Sequence, residues 1–99
     1  MRCFIVEITY RVPWEQMEAE IMEHRRLLDE GISAGWILAA GPCDPRIGGM
    51  AIVKAESAEE LEKFFARGPY VQKGLADYRF IEFNPLKMQP EFIQWKDRN

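Results

Sequence analysis

Ninety-nine residues, 47% hydrophobic and 29% charged, describe a single globular domain. Its surface is large for its volume, so association offers a second way to bury apolar area. A formal net charge of -3 with no basic tract argues against a nucleic-acid surface. Apolar runs of only a few residues, and a start at Met1 to Glu7 with neither a signal-peptide core nor a lipidation motif, lead to the expectation of a cytoplasmic protein without a membrane segment.

Cys3 to Tyr10 reads as a strand, with Phe4, Val6, Ile8 and Tyr10 on one side and Cys3 and Ile5 on the other, so both faces are expected to be covered. Pro13 suits the first turn of a helix, and Glu15 and Glu18 complement the positive end of its dipole. That helix is predicted to run to about Ala34, to tolerate Gly31 at a cost of about 1 kcal/mol, and to stop at Gly35. Trp36 to Ala40 is a second strand. Cys43 to Gly49 has hairpin chemistry and Met50 to Glu56 is the third strand. Ser57-Ala58-Glu59-Glu60 is a capping box that starts a second helix with Leu61, Phe64 and Phe65 inward, ended by Gly68-Pro69. A short turn at Tyr70 to Gly74 leads into a fourth strand, Leu75 to Phe83, stopped by Asn84-Pro85. The organisation is therefore a domain over residues 1–85 and a tail over 86–99. With Phe92, Ile93 and Trp95, that tail is too apolar for a disordered end and is expected to pack on the domain or on a partner.

Strand, helix, strand, strand, helix, strand is the ferredoxin-like order, an α+β fold with a four-stranded antiparallel sheet. Two helices cover only one face of such a sheet. The other face is apolar as well, and a second sheet packed on it at about 10 Å is the economical cover, so a homodimer through sheet faces is expected.

Met17, Ile21, His24 and Leu28 recur at helical spacing, which turns the chain's one histidine inward. Such an imidazole is either a proton-transfer group, given its ordinary pKa near 6.5, or a core histidine satisfied by a backbone carbonyl. Cys3 and Cys43 lack metal-like spacing and are expected to be reduced thiols. Neither a phosphate loop nor a nucleophile elbow is present, and no cofactor or metal is expected.

His24, Ala40-Gly41-Pro42, Gly48-Gly49, Ser57-Ala58-Glu59-Glu60-Leu61 and the run Gly68-Pro69-Tyr70-Val71-Gln72-Lys73-Gly74-Leu75, in that order and spacing, resemble the YCII-related (YciI-like) family over about residues 1–85. The resemblance implies a dimeric α+β barrel with a cleft between helices and sheet. It also implies a dyad of a first-helix histidine and an aspartate in an Asp-Pro-Phe-like motif after the second helix. His24 matches the histidine; Gly68 stands where the aspartate belongs, and Tyr70 at the aromatic position. The missing carboxylate would have oriented the imidazole and stabilised the imidazolium. Asp44 in the hairpin, or Glu20 one turn before His24, is the candidate replacement, the alternative for Asp44 being a turn residue bonding its own backbone. Arg25 and Arg26 could fork onto a substrate carboxylate or simply form a charged helix face. Tyr70, Arg67 and Lys73 border the implied cleft.

Two functions follow. One is a cofactor-independent lyase or isomerase in which His24 moves a proton next to a carbonyl or on a ring, with Asp44 as its partner and Arg25, Tyr70 and Arg67 holding a small aromatic or carboxylic-acid substrate. The other is a binding or accessory dimer that has lost the pair at Gly68.

Overall fold

In the computed structural model, which describes residues 1–98, the elements are β1 (Arg2–Tyr10), α1 (Trp14–Glu18), α2 (Ile21–Ala34), β2 (Ile37–Pro42), β3 (Gly48–Ala55), α3 (Ala58–Phe65), α4 (Pro69–Gln72), β4 (Ala76–Phe83) and α5 (Pro90–Asp97). The four strands form one antiparallel sheet in the order β2-β3-β1-β4, so the first strand of the sequence lies inside the sheet and β2 and β4 are its edges. This is the α+β ferredoxin-like arrangement. No helix among the described residues is long and apolar enough to cross a membrane.

Alternation in β1 sorts the chain into two layers. Phe4, Val6 and Ile8 stand opposite Val53, Ala51 and Gly49 of β3, and together with Leu61, Phe65, Tyr70, Met17 and Leu27 they make the core under the helices. Phe65 is ringed by Trp36, Phe64, Tyr78 and Phe80 at centroid distances of 5.1–6.5 Å, mostly edge-on or tilted, a geometry that adds to simple area burial.

The first helix departs from expectation. Residues 13–34 do not form one helix: Pro13 is the extended residue before a five-residue α1, and α2 begins afresh after Glu20. Glu18 and Ala19 are exposed and have nothing to bury, so the chain bends there while Met17 enters the core. Gly35 does end α2 in the left-handed conformation, at φ 89°, and its N–H is taken by the carbonyls of Gly31 and Ile32. Gly31 is more than a propensity cost: a β-carbon there would lie 2.3 Å from Cδ1 of Ile37 and 2.9 Å from Cζ2 of Trp36, so the hydrogen lets α2 settle onto β2. At α3 the Ser57 hydroxyl accepts from the Glu60 N–H at 3.2 Å, as its sequence predicts. The helix proper stops at Phe65, ahead of Gly68-Pro69.

The tail folds back as α5. Trp95 is 3% exposed, its indole N–H donates to the Gly35 carbonyl at 2.8 Å, and Phe92 packs edge-on against it. Ile93, expected inside with them, is 43% exposed. Lys54 alternates out of the core layer. Its buried ammonium donates to the carbonyls of Trp95 and Arg98, closing the last turn of α5 over the end of the sheet's second face, where Cys3 pairs with Lys54 in register. The rest of that face carries half-buried Ile5, Ile52 and Ile81, partly exposed Met50 and Phe83, and a Glu7–Arg79 pair at 3.6 Å. Removing residues 86–99 should lower the melting temperature by roughly 10 °C or more, since a buried tryptophan and its hydrogen bonds contribute several kcal/mol. An unchanged thermal melt by circular dichroism would show that α5 contributes nothing to the fold.

Candidate ligand cavity

A cavity of about 420 Å³ opens between α2, the β1–β3 part of the sheet and the loop joining β2 to β3. Ile8 and Ala51 form an apolar floor, Ile21 and Leu28 an apolar wall, and the polar lining comes from His24, Arg25 and Asp29 of α2, Tyr10 of β1, Arg46 of the loop and Tyr70 of α4. The size falls within the usual range for small-molecule pockets.

His24 is 7% exposed and its ring lies flat against Tyr70, centroids 4.0 Å apart and planes 11° from parallel. Its Nδ1 is buried with no hydrogen-bond partner, and so is the Tyr70 hydroxyl. The core-histidine reading, in which a backbone carbonyl satisfies the ring, therefore does not hold at Nδ1. Burial, with the nearby Arg25 charge, pushes the His24 pKa down to about 4. Burial, with Tyr10 beside it, pushes Tyr70 up to about 12. At neutral pH the stacked pair is a neutral imidazole and a neutral phenol: one can take a proton, the other donate a hydrogen bond. Each buried polar atom left unpaired costs about 1–3 kcal/mol.

From this pair an aromatic series runs outward. Tyr10 meets Tyr70 edge-on at 6.0 Å and stacks on Trp14 at 6.1 Å, and the Arg46 guanidinium lies 4.8 Å over the Trp14 ring.

The structure brings together His24, Arg25 and Tyr70 of the residues picked from sequence, and separates the others. Asp44 is exposed in the hairpin and is not part of the cavity wall, because the loop turns Arg46 rather than Asp44 toward it. Glu20 is held by Lys73 at 2.8 Å, Arg67 by Glu30 at 2.9 Å, and Arg26 by Glu23. Two lining residues escaped the sequence reading. Asp29 follows Arg25 by four on a stripe with Ile21, Leu28 and Ile32, one step round the helix from the stripe through His24; that spacing was a usable signal. Arg46 sits in an irregular loop, where no periodicity points anywhere. Gly68 has ordinary extended backbone at φ -92°, ψ 163°, so nothing in its conformation demands glycine. A β-carbon there would meet the Leu27 Cδ2 methyl at 2.8 Å. Among the described residues no three His, Cys, Asp or Glu side chains group as metal ligands would, and both cysteines are free.

Comparison with known proteins agrees with this architecture. A search of curated proteins finds no match. Among solved structures the chain is similar to 5-chloro-2-hydroxyhydroquinone dehydrochlorinase from Burkholderia phenoliruptrix AC1100, solved in complex with 2,5-dihydroxybenzoquinone. The TM-score is 0.63 at 19% identity, over 83% of this chain and 93% of that one, a likeness of fold. Residues 3–84 match the YCII-related domain, and the chain belongs to the YCII-related family.

Proposed function

We propose that this protein is a small-molecule enzyme of the lyase or isomerase kind, working without a cofactor. The observation that carries the reading is a neutral His24 stacked on Tyr70 in the wall of a ligand-sized cavity, its buried Nδ1 without a hydrogen-bond partner. In the proposed step the imidazole takes a proton from a carbon next to a carbonyl, Tyr70 donates to the oxygen where negative charge gathers, and Arg25 holds the substrate. The imidazolium then returns the proton to a neighbouring carbon, or the enolate electron pair forms a double bond as it expels a leaving group, which takes the proton from the imidazolium. The similar fold of a dehydrochlorinase supports a reaction of this class at family level. Asp44 and Arg67, lying outside the cavity wall, have no part in it.

Gly68 in place of the dyad aspartate favours a second reading, a binding module that keeps the pocket and has lost the chemistry. A thermal-shift screen of aromatic acids and lactones, followed by a turnover assay on each hit, separates the two. Turnover that disappears in His24→Gln supports the enzyme; binding without turnover supports the module. The two unpaired thiols suit a reducing compartment such as the cytoplasm.

The partly exposed sheet face with Ile5, Ile52, Ile81, Met50 and Phe83 supports a homodimer packed sheet to sheet. Light scattering should return twice the chain mass of 11.6 kDa, and a concentration-independent monomer mass would overturn the dimer.

A further inference from the structure

Five of the chain's arginines, at positions 2, 11, 26, 67 and 79, have a carboxylate within 4.0 Å. Arg25 and Arg46 have none among the described residues, and both line the same cavity. They come from unrelated places, α2 and the β2–β3 loop. In a chain of net charge -3, with Asp and Glu outnumbering Lys and Arg, two guanidinium groups left without a carboxylate beside one pocket need an explanation, although Arg46 also lies over the Trp14 ring. The cavity is also lined by His24 and Tyr70, 7% and 1% exposed, whose buried Nδ1 and hydroxyl have no hydrogen-bond partner.

Extending the enzyme reading of this cavity, we infer that its ligand is a small planar organic anion, a single-ring carboxylate or phenolate. Its negative group is taken by Arg25 and Arg46, and its ring oxygen faces His24 and Tyr70. The apolar floor of Ile8 and Ala51 suits the face of a ring. A cavity of about 150 Å³ already admits benzene, and the volume here leaves room for substituents at both ends. Guanidinium groups fork onto carboxylates, and the hydrogen bonds so formed are of the stronger, charge-assisted kind.

The anion also supplies what Gly68 withholds. His24 stacks on Tyr70 of α4 and feels the Arg25 charge on its own helix, with Tyr10, Asp29 and Arg46 elsewhere on the cavity wall. Neutralising Arg25 removes a charge that disfavours the imidazolium, so the bound ligand itself strengthens the base that acts on it.

The test uses the full chain, in which His24 gives the only histidine ring resonances. Benzoate is the probe and benzamide its neutral isostere. Benzoate is expected to shift the His24 signals saturably and to bind at least tenfold more tightly than benzamide. Arg25→Gln and Arg46→Gln should each weaken benzoate about tenfold, as loss of one charge-assisted bond does. Saturating benzoate should raise the His24 pKa by about one unit. Arg25→Gln lifts the pKa of the free protein by itself, so free and saturated forms of the same variant are compared. No saturable shift with benzoate, equal affinity for benzamide, or indifference to both arginine substitutions overturns the anion. Anion binding that obeys these rules without turnover of any acid leaves this inference standing and sinks the enzyme reading instead.

Discussion

Acidification from pH 6.5 to pH 4 is expected to remove on the order of 3 kcal/mol of stability through His24 alone. In the unfolded chain the imidazole binds its proton near 6.5; in the fold, burial first and the Arg25 charge second delay this until about 4. Between those values the unfolded state binds more protons, so the contribution is complete above 6.5 and is lost as pH falls through the folded value. Melting temperatures measured across this window should fall more steeply for the native chain than for His24→Phe, which keeps a ring against Tyr70 and cannot titrate. Carboxylates act equally in both, and a difference of 3 kcal/mol corresponds to more than about 10 °C for a domain of this size. Parallel curves would mean that His24 is not held neutral. The same displacement sets the chemistry: at neutral pH almost every molecule carries the imidazole in its proton-accepting form, and the imidazolium produced by catalysis is poorly stabilised until something supplies negative charge.

Placing that charge in the protein is the second experiment. Gly68→Asp is expected to raise the His24 pKa from about 4 by about 1–3 units, followed by NMR titration of the single histidine. The backbone at 68 already has an extended conformation that any residue adopts, so no strain opposes the change. The new β-carbon meets at 2.8 Å the end of the Leu27 side chain, whose rotation costs about 1 kcal/mol, and stands 3.4 Å from the Phe65 carbonyl oxygen. Gly68 is also the N-cap of α4, which has no side-chain cap, so the carboxylate has a competing use on the first N–H groups of that turn. If it turns there, the protein gains stability while the histidine titration stays where it was, and the two outcomes are told apart in one set of spectra and melts. A native His24 already titrating above 6.5 would instead show that a resident carboxylate faces the ring, and Asp29, on the cavity wall, is then the residue to replace with asparagine.

How far the chain could be read from its letters depended on periodicity. Alternation in β1 and β3, the Ser57 cap and the Gly35 stop are local signals that tertiary packing reinforces, and they placed the ferredoxin-like order and the inward face of His24. The break after Glu18 had no such signal, because Glu18-Ala19-Glu20 suits a helix interior as well as a bend. Gly31 was legible as a helix cost and not as the place where α2 touches Ile37 and Trp36, since that distance exists only once the sheet is assembled. The missing carboxylate was visible at Gly68. That the loop turns Asp44 away from the cavity wall was not, because an irregular loop carries no periodicity to orient its side chains.

β1 is shared property. Ile8 and Tyr10 line the cavity while Ile5 and Glu7, an odd number of residues away along the strand, belong to the opposite, partly open face. Slipping this strand by one residue against β3 would put Glu7 where Ile8 now stands and turn the pocket inside out. A molecule resting on the open face and a molecule seated in the pocket are therefore one peptide layer apart, and both lean on the same ladder of hydrogen bonds between β1, β3 and β4. Whatever stiffens that ladder from one side stiffens it for the other.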